Sequence, residues 1–261
     1  MNATWLQCTN EPYAFVKQQM RTKKHKTSFL SQALELFGDG PEMQDIHKFS
    51  AVSMYAAGAD TTVASLMVFF LAMMLFPDVQ RKAQEELDRV LGNRLPHGSD
   101  RDNLPYIWAI VLEIHRWHPV GPLGIPHASI KEDFVRGYRI PKGSIIMTNI
   151  WGITHDPAIY SEPHSFRPER FIETPTHRAE PDPRTYTFGF GRRVCPGKLL
   201  ADNALFVTVA QTLAVFDVEK PVDGNGRVVE PKAKFEVCGS VYLSETCVLD
   251  ILLTLDFRLG W

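Results

Sequence analysis

The sequence has little cysteine and no surplus of either charge. Its four cysteines, Cys8, Cys195, Cys238 and Cys247, form no C-x-x-C pair and no zinc-type spacing. That excludes a disulfide scaffold and fits a reducing compartment, where each thiol is judged alone. Lys and Arg number 28 against 30 Asp and Glu, a net charge of -2. The basic surplus of a nucleic-acid binder is missing. The one basic cluster, Arg21, Lys23, Lys24, His25 and Lys26, has no interleaved aromatics or glycines and reads as solvated surface. No internal repeat is visible. Residues 1–13 lack the charged-then-apolar order of a leader, so no signal peptide or membrane anchor is read there. What remains is globular composition, 44% hydrophobic and 22% charged over 261 residues, with chain enough for a large core.

The one long apolar stretch is internal, from Ala51 to Phe76. Its length alone would suit a membrane span. Asp60 lies within it, however, beside Gly58, Thr61 and Thr62, and an ionised carboxylate in hydrocarbon is costly. The uninterrupted part, Val63 to Phe76, is short for a span and suits a buried core helix apolar nearly all round.

Periodicity and breakers predict two helices over 11–37, interrupted near 23–27, and a turn at 38–41 with Pro41 opening the next helix. That helix runs to Phe76 and stops at Pro77. A charged amphipathic helix follows over 78–91, closed by Gly92, and another over 104–117. Short β-type runs lie at 134–135, 138–140 and 144–148, with turns at Gly137 and 141–143. Six prolines between 157 and 183 exclude regular helix or central strand there and predict packed coil. Residues 196–218 read as helix. The fold class is mainly α with a small β portion, α+β in layer terms.

One cysteine stands out. Cys195 lies in Phe188-Gly189-Phe190-Gly191-Arg192-Arg193-Val194-Cys195-Pro196-Gly197. Glycines permit tight turns and close approach of a ligand to backbone. Pro196 suits the first turn of the next helix, which places Cys195 at a helix N-terminus beside two arginines. All three features favour a thiolate, able to serve as nucleophile or metal ligand. An isolated cysteine is more often a small core residue, so the weight rests on the whole ten-residue pattern.

That pattern, F-x-x-G-x-R-x-C-x-G, resembles the haem-ligand loop of the cytochrome P450 family. Ala57-Gly58-Ala59-Asp60-Thr61-Thr62 resembles the family's oxygen-activation motif, and Glu113-Ile114-His115-Arg116 its E-x-x-R helix. Phe166-Arg167-Pro168-Glu169-Arg170-Phe171 is similar to the segment that supplies a second arginine. The order and spacing of the four agree with the family. The stretch 104–156 is most similar to fungal members resembling aflatoxin-pathway oxidoreductases, which implies fungal secondary metabolism.

The resemblance implies the C-terminal half of the P450 fold and a haem-thiolate monooxygenase inserting one oxygen atom of O2 into a small hydrophobic organic substrate. The implied cofactor is haem b, and the electrons come from NADPH through a cytochrome P450 reductase. Cys195 is then the iron ligand. Its thiolate favours O–O cleavage, a property for which P450s are themselves the established example. Backbone N–H groups of the Gly191 to Gly197 loop are expected to bond the sulfur, and Phe188 to pack near it. Arg193 and His127 are expected to pair with haem propionates. Asp60 and Thr61 form an acid–alcohol pair that delivers protons during oxygen activation. Glu113, Arg116 and Arg170 are expected to be structural, a buried ion-pair set supporting the loop. Residues 120–125 are expected to face substrate.

The sequence also departs from the family, whose members are about twice as long. Residues 1–236 read as a partial P450 domain without the family's membrane anchor, N-terminal sheet and early helices. Residues 237–261 read as an aberrant tail, derived from an unspliced intron or a frameshift, with no proline and Arg258 as their one basic residue. Family members sit at the endoplasmic reticulum membrane. With no anchor or signal read, this chain is expected in the cytoplasm. Two further readings stay open: a non-catalytic fragment lacking a complete haem pocket, and a thiol enzyme using Cys195 as nucleophile. The last leaves Asp60, Thr61 and the Glu113 set unexplained.

Overall fold

The computed structural model describes residues 3–231, 235–237, 241–243 and 255–258. Cys238 and Cys247, and most of the segment read as an aberrant tail, lie outside the described residues. The chain divides into two compact units, Met1–Asp60 and Thr61–Trp261.

The first unit contains α1 (Ala3–Arg21), α2 (Phe29–Phe37) and the start of α3 (Pro41–Leu75). Helix α1 begins eight residues earlier than the sequence suggests and carries Pro12 inside it. Its buried face, Tyr13 with Val16 and Met20, packs on Leu30 and Leu34 of α2. Ser28 caps α2 by accepting from Ser31 N (3.2 Å), while Ser31 Oγ accepts from Ser28 N (2.9 Å). Gly38 ends α2 at φ 72°, its N–H donating to Leu34 O at 3.0 Å. The Tyr13 hydroxyl donates to Asp39, which also pairs with Lys17. Burial, then that hydrogen bond, pushes the Tyr13 hydroxyl up to about 12. Ser28→Ala removes one side of the cap and is expected to lower stability by about 1 kcal/mol, read as a lower urea midpoint at unchanged slope.

The second unit holds the rest of α3, then α4 (Pro77–Leu91) and α5 (Pro105–Trp117). Strands β1 (His127–Ala128), β2 (Asp133–Val135), β3 (Tyr138–Ile140) and β4 (Ile145–Ile146) follow. Then come α6 (Ile150–Thr154), α7 (Arg184–Thr187), α8 (Lys198–Val215) and β5 (Phe216–Val218). Three more strands are β6 (Phe235–Val237), β7 (Val241–Leu243) and β8 (Leu255–Phe257). All pairings are two-stranded and antiparallel: β1 with β4, β2 with β3, β5 with β8, and β6 with β7.

The core joins Phe69, Leu71 and Met73 of α3 to Ala83 and Leu87 of α4, Ile107, Ile110 and Ile114 of α5, and Phe206, Val209 and Leu213 of α8. The apolar run of α3 is therefore buried or half-buried from Ala64 onward, while Val63 and Tyr55 stay exposed. Helices α3 and α8 are each long and apolar enough to cross a bilayer. An aromatic stack, Phe76 over Phe166 with Trp117 edge-on, closes the end of α3 against α5 and the coil. The six-proline segment is coil, as its composition demands, with a 3-10 turn at Pro168–Phe171. It is packed coil: Tyr160 is fully buried and donates to Pro181 O at 3.0 Å.

Two boundaries differ from the sequence reading. The helix expected over 196–218 starts at Lys198, with Gly197 as N-cap, and gives way to strand at Phe216. Pairing of β5 with β8 makes the second change, and Gln80 of α4 adds to it, taking Val218 N (2.9 Å) and giving to Val218 O (3.2 Å). Beyond β7 and β8, Arg258 also anchors the end of the chain, bonding Asp88 of α4 (2.9 Å) and Leu213 O (3.1 Å).

Between α4 and α5, Asp100 takes both Arg94 nitrogens at 2.8 Å and the His97 N–H. The Arg94 hydrogen bonds, then His97, hold Asp100 down from 3.8 to about 2. A lowered folded-state pKa stabilises above the unfolded value and is lost as pH falls through the folded one. Asp100→Asn is thus expected to flatten the acid unfolding limb between pH 3.8 and about 2, checked by melts across that range.

Candidate functional site

The frame of the site is α5. Glu86 of α4 accepts from the free N–H groups of Tyr106 and Ile107, each at 3.0 Å, at its N-terminus, where a carboxylate also suits the helix dipole. Sequence alone gave no signal for this cap, because the two partners lie twenty residues apart.

Glu113, Arg116 and Arg170 are all fully buried and come together as expected. Glu113 takes Arg116 through two bonds (2.7 and 2.9 Å), Arg170 Nε at 3.2 Å and Arg167 N at 2.7 Å. Arg116 Nη1 and Nη2 donate to Thr154 O, Pro163 O and Ser165 O. Arg170 donates to Ser161 O and Glu180 at 2.6 Å. Burial raises the Glu113 carboxyl, and both guanidiniums pull against it. Glu180 is the member that sequence reasoning missed; with it, two cations face two carboxylates. This set stitches α5 to the proline-rich coil leading into the cysteine loop.

The loop follows α7. Gly189 and Gly191 sit at φ 78° and 58°, where a side chain is strained, so glycine is required at both bends. Residues Gly191–Arg193 form a 3-10 turn. Cys195 N donates to Phe188 O at 2.8 Å, closing the loop on itself. The Cys195 thiol is exposed, with Gly197 beneath it, where an added Cβ would lie 3.8 Å from Sγ. Two expectations are corrected. Pro196 is not in the first turn of α8: it precedes the Gly197 N-cap, so Cys195 stands just ahead of the helix. No N–H bonds the sulfur among the described residues; the Cys195 N–H is spent on Phe188 O instead. Phe188 is half-buried, its ring against His115 at 5.1 Å and under Lys198 Nζ at 5.6 Å.

The stretch that carries the thiol is apolar and basic. Phe190, Val194, Leu199 and Leu200 are exposed, the two leucines by 75%. Arg193 is exposed, and its side chain makes no hydrogen bond or ion pair among the described residues. His127, on β1 opposite Ile146, is also exposed. In the 120–125 segment Leu123 and Ile125 are exposed. An exposed thiol, exposed apolar side chains and an exposed guanidinium on one loop fit a flat apolar group carrying carboxylates. Asp60 and Thr61 are neighbours in unbroken α3, both exposed, with Ser65 Oγ donating to Thr61 O at 3.2 Å.

The family profile for cytochrome P450 matches residues 3–238. The chain belongs to the cytochrome P450 family. Cytochrome P450 monooxygenase 208 of Postia placenta is 52% identical over 223 residues, 85% of this chain and 43% of that protein. Cytochrome P450 monooxygenase claR of Ampulloclitocybe clavipes is 47% identical over 227 residues, 87% and 42%. The chain thus spans under half the length of these curated P450 relatives. A zebrafish cytochrome P450 structure with abiraterone aligns with TM-score 0.73 and 27% identity, over 92% of this chain and 63% of that one. Another, with progesterone, aligns with TM-score 0.70 and 30% identity, over 85% and 47%. The mainly helical fold with small strands is therefore part of the P450 fold, and the recognition made from the four motifs holds.

Proposed function

We propose that the chain serves a haem-thiolate monooxygenase acting on a small hydrophobic organic substrate, with electrons from an NADPH-dependent reductase. The observation that carries this is the exposed Cys195 on a glycine-bent loop, held by a scaffold clamped at Glu113. When bound, haem supplies the activation of O2 from which one oxygen atom enters the substrate. Cys195 Sγ would hold the haem iron. Arg193 would hold a propionate carboxylate through charge-assisted hydrogen bonds, and His127 would be a second partner. The exposed apolar side chains of Phe190, Val194, Leu199 and Leu200 would pack on the apolar macrocycle.

Asp60 and Thr61 move protons. The exposed Asp60 carboxylate reloads from solvent, and Thr61 Oγ1 holds the proton on the reacting side. Successive residues on a helix point about 100° apart, so the two act in sequence around α3 and not through a face-to-face bond. A positioned acid is worth about 100-fold or more in rate. In the haem-loaded protein, Asp60→Asn is expected to slow turnover by that order. Thr61→Ala is expected to keep haem but to divert NADPH electrons into hydrogen peroxide. Peroxide released per NADPH consumed is the measurement; variants as well coupled as the parent would remove the pair from the mechanism.

The exposed apolar side chains favour a second reading for residues 1–261 taken alone: a polypeptide that presents the ligand loop without enclosing haem. Each apolar side chain left wet forgoes about 1.5–3 kcal/mol, against a whole-domain stability of about 5–15 kcal/mol. Expressed by itself, the 261-residue chain is expected to aggregate or to bind haem weakly, with no turnover. A soluble monomer with stoichiometric haem and a cooperative melt would contradict this.

A further inference from the structure

Beneath the ligand loop, α5 and α8 meet through polar groups that the Glu113 set does not use. His115 of α5 and Asp202 of α8 are both buried. Their Nε2 and Oδ1 atoms lie 3.8 Å apart, and neither has a hydrogen-bond partner among the described residues. The other Asp202 oxygen accepts from Arg184 Nη1 at 2.8 Å. Arg184 also holds Asp182, with Nη2 to Oδ2 at 2.5 Å. The His115 ring stands edge-on to Phe188 at 5.1 Å, and Lys198 Nζ, over the other part of that ring, donates to Arg184 O at 3.3 Å.

Two facing orphan atoms are expensive, since a buried polar group that loses its water and gains no partner bears the full desolvation cost. The neighbouring α5 positions Ile107, Ile110 and Ile114 show that this helix fills its core face with aliphatic side chains where only packing is at stake. An imidazole aimed at a carboxylate is a different choice. The cluster has two cations, Arg184 and Lys198, against two carboxylates, Asp182 and Asp202. Burial, then Arg184, pushes the His115 imidazole down to about 4, so it is neutral at physiological pH and can donate through Nε2. Small closure of the 3.8 Å gap makes that bond and ties α5 to α8 directly under Phe188.

We propose that His115 is a positioning residue: with Asp202 and Arg184 it fixes Phe188, the acceptor of the Cys195 N–H, and so holds Cys195 in ligating geometry. The inference rests on the haem-thiolate reading. Removing a partner outside the ligand shell costs about 10–100-fold in metal-group affinity, and that is the effect expected here.

The test uses the haem-loaded, full-length protein. Haem release to excess apomyoglobin and the type of the ferrous carbon monoxide Soret band are read for His115→Leu, His115→Gln, Asp202→Asn and the control Val209→Ala, a buried α8 residue outside the cluster. His115→Leu and Asp202→Asn are expected to release haem about 10–100-fold faster and to shift the carbon monoxide complex to the neutral-thiol type. His115→Gln, which keeps an N–H donor, is expected to recover most of the parent's behaviour. Val209→Ala is expected to lower the melting temperature while keeping the thiolate-type band. The double variant of His115 and Asp202 is expected to be no worse than the worse single one, as coupled partners require. If His115→Leu fails to fold, the near-isosteric Asp202→Asn decides. Parent-like release and band type in the folded variants would overturn the proposal, as would additive effects. A parent without a thiolate-type band would overturn the haem-thiolate reading itself, and the proposal with it.

Discussion

Glu113→Gln is expected to destabilise the protein by about 3–5 kcal/mol, the cost of leaving a buried charge without its partner. The reasoning is a charge count in a dry place. Arg116, Arg170 and Glu113 are fully buried, and Glu180 supplies the second carboxylate. Glutamine matches glutamate in shape, so packing is preserved. The charge is not: Arg116 keeps one amide oxygen and the carbonyls of Thr154, Pro163 and Ser165, all neutral. A loss of that size is a large share of the about 5–15 kcal/mol that holds a domain together. Chemical denaturation of the haem-loaded protein checks it, through a lower midpoint at unchanged slope. A change under about 1 kcal/mol would place this set with exposed surface pairs and remove its role as the loop's scaffold.

Cys195→Ala is expected to abolish the thiolate-type ferrous carbon monoxide band completely. Among the described residues the other cysteine is Cys8, on α1. The loop itself should survive the substitution, because its closure uses the Cys195 backbone N–H on Phe188 O and the bends at Gly189 and Gly191. Haem retention falls while the fold persists, which the far-ultraviolet circular dichroism spectrum of the variant checks. A Cys195→Ala protein that keeps the band would end the assignment.

The helices were legible because their signals are local. Pro77 and Gly92 bracket α4, and Pro105 and Pro119 bracket α5, each through backbone constraints on one or two residues. The cysteine loop was legible as a motif because bends at Gly189 and Gly191 need residues that almost no other side chain can replace. What escaped was long-range. The Glu86 cap, the β5–β8 pairing that makes Phe216–Val218 a strand, and Glu180 beside Arg170 each depend on partners apart in the chain. No periodicity carries such information. The start of α1 escaped for a different reason: Pro12 weighs against helix locally, and the contacts of Tyr13 with α2 outweigh it. The position of Pro196 was misread by two residues, within the usual blur of helix ends.

The account stands on the bond between Cys195 and iron. X-ray absorption at the iron edge of the haem-loaded protein measures that bond without relying on a variant. The account predicts one sulfur scatterer in the iron's first shell beside the four porphyrin nitrogens, kept from the ferric to the ferrous state. A first shell of nitrogen and oxygen alone would contradict it.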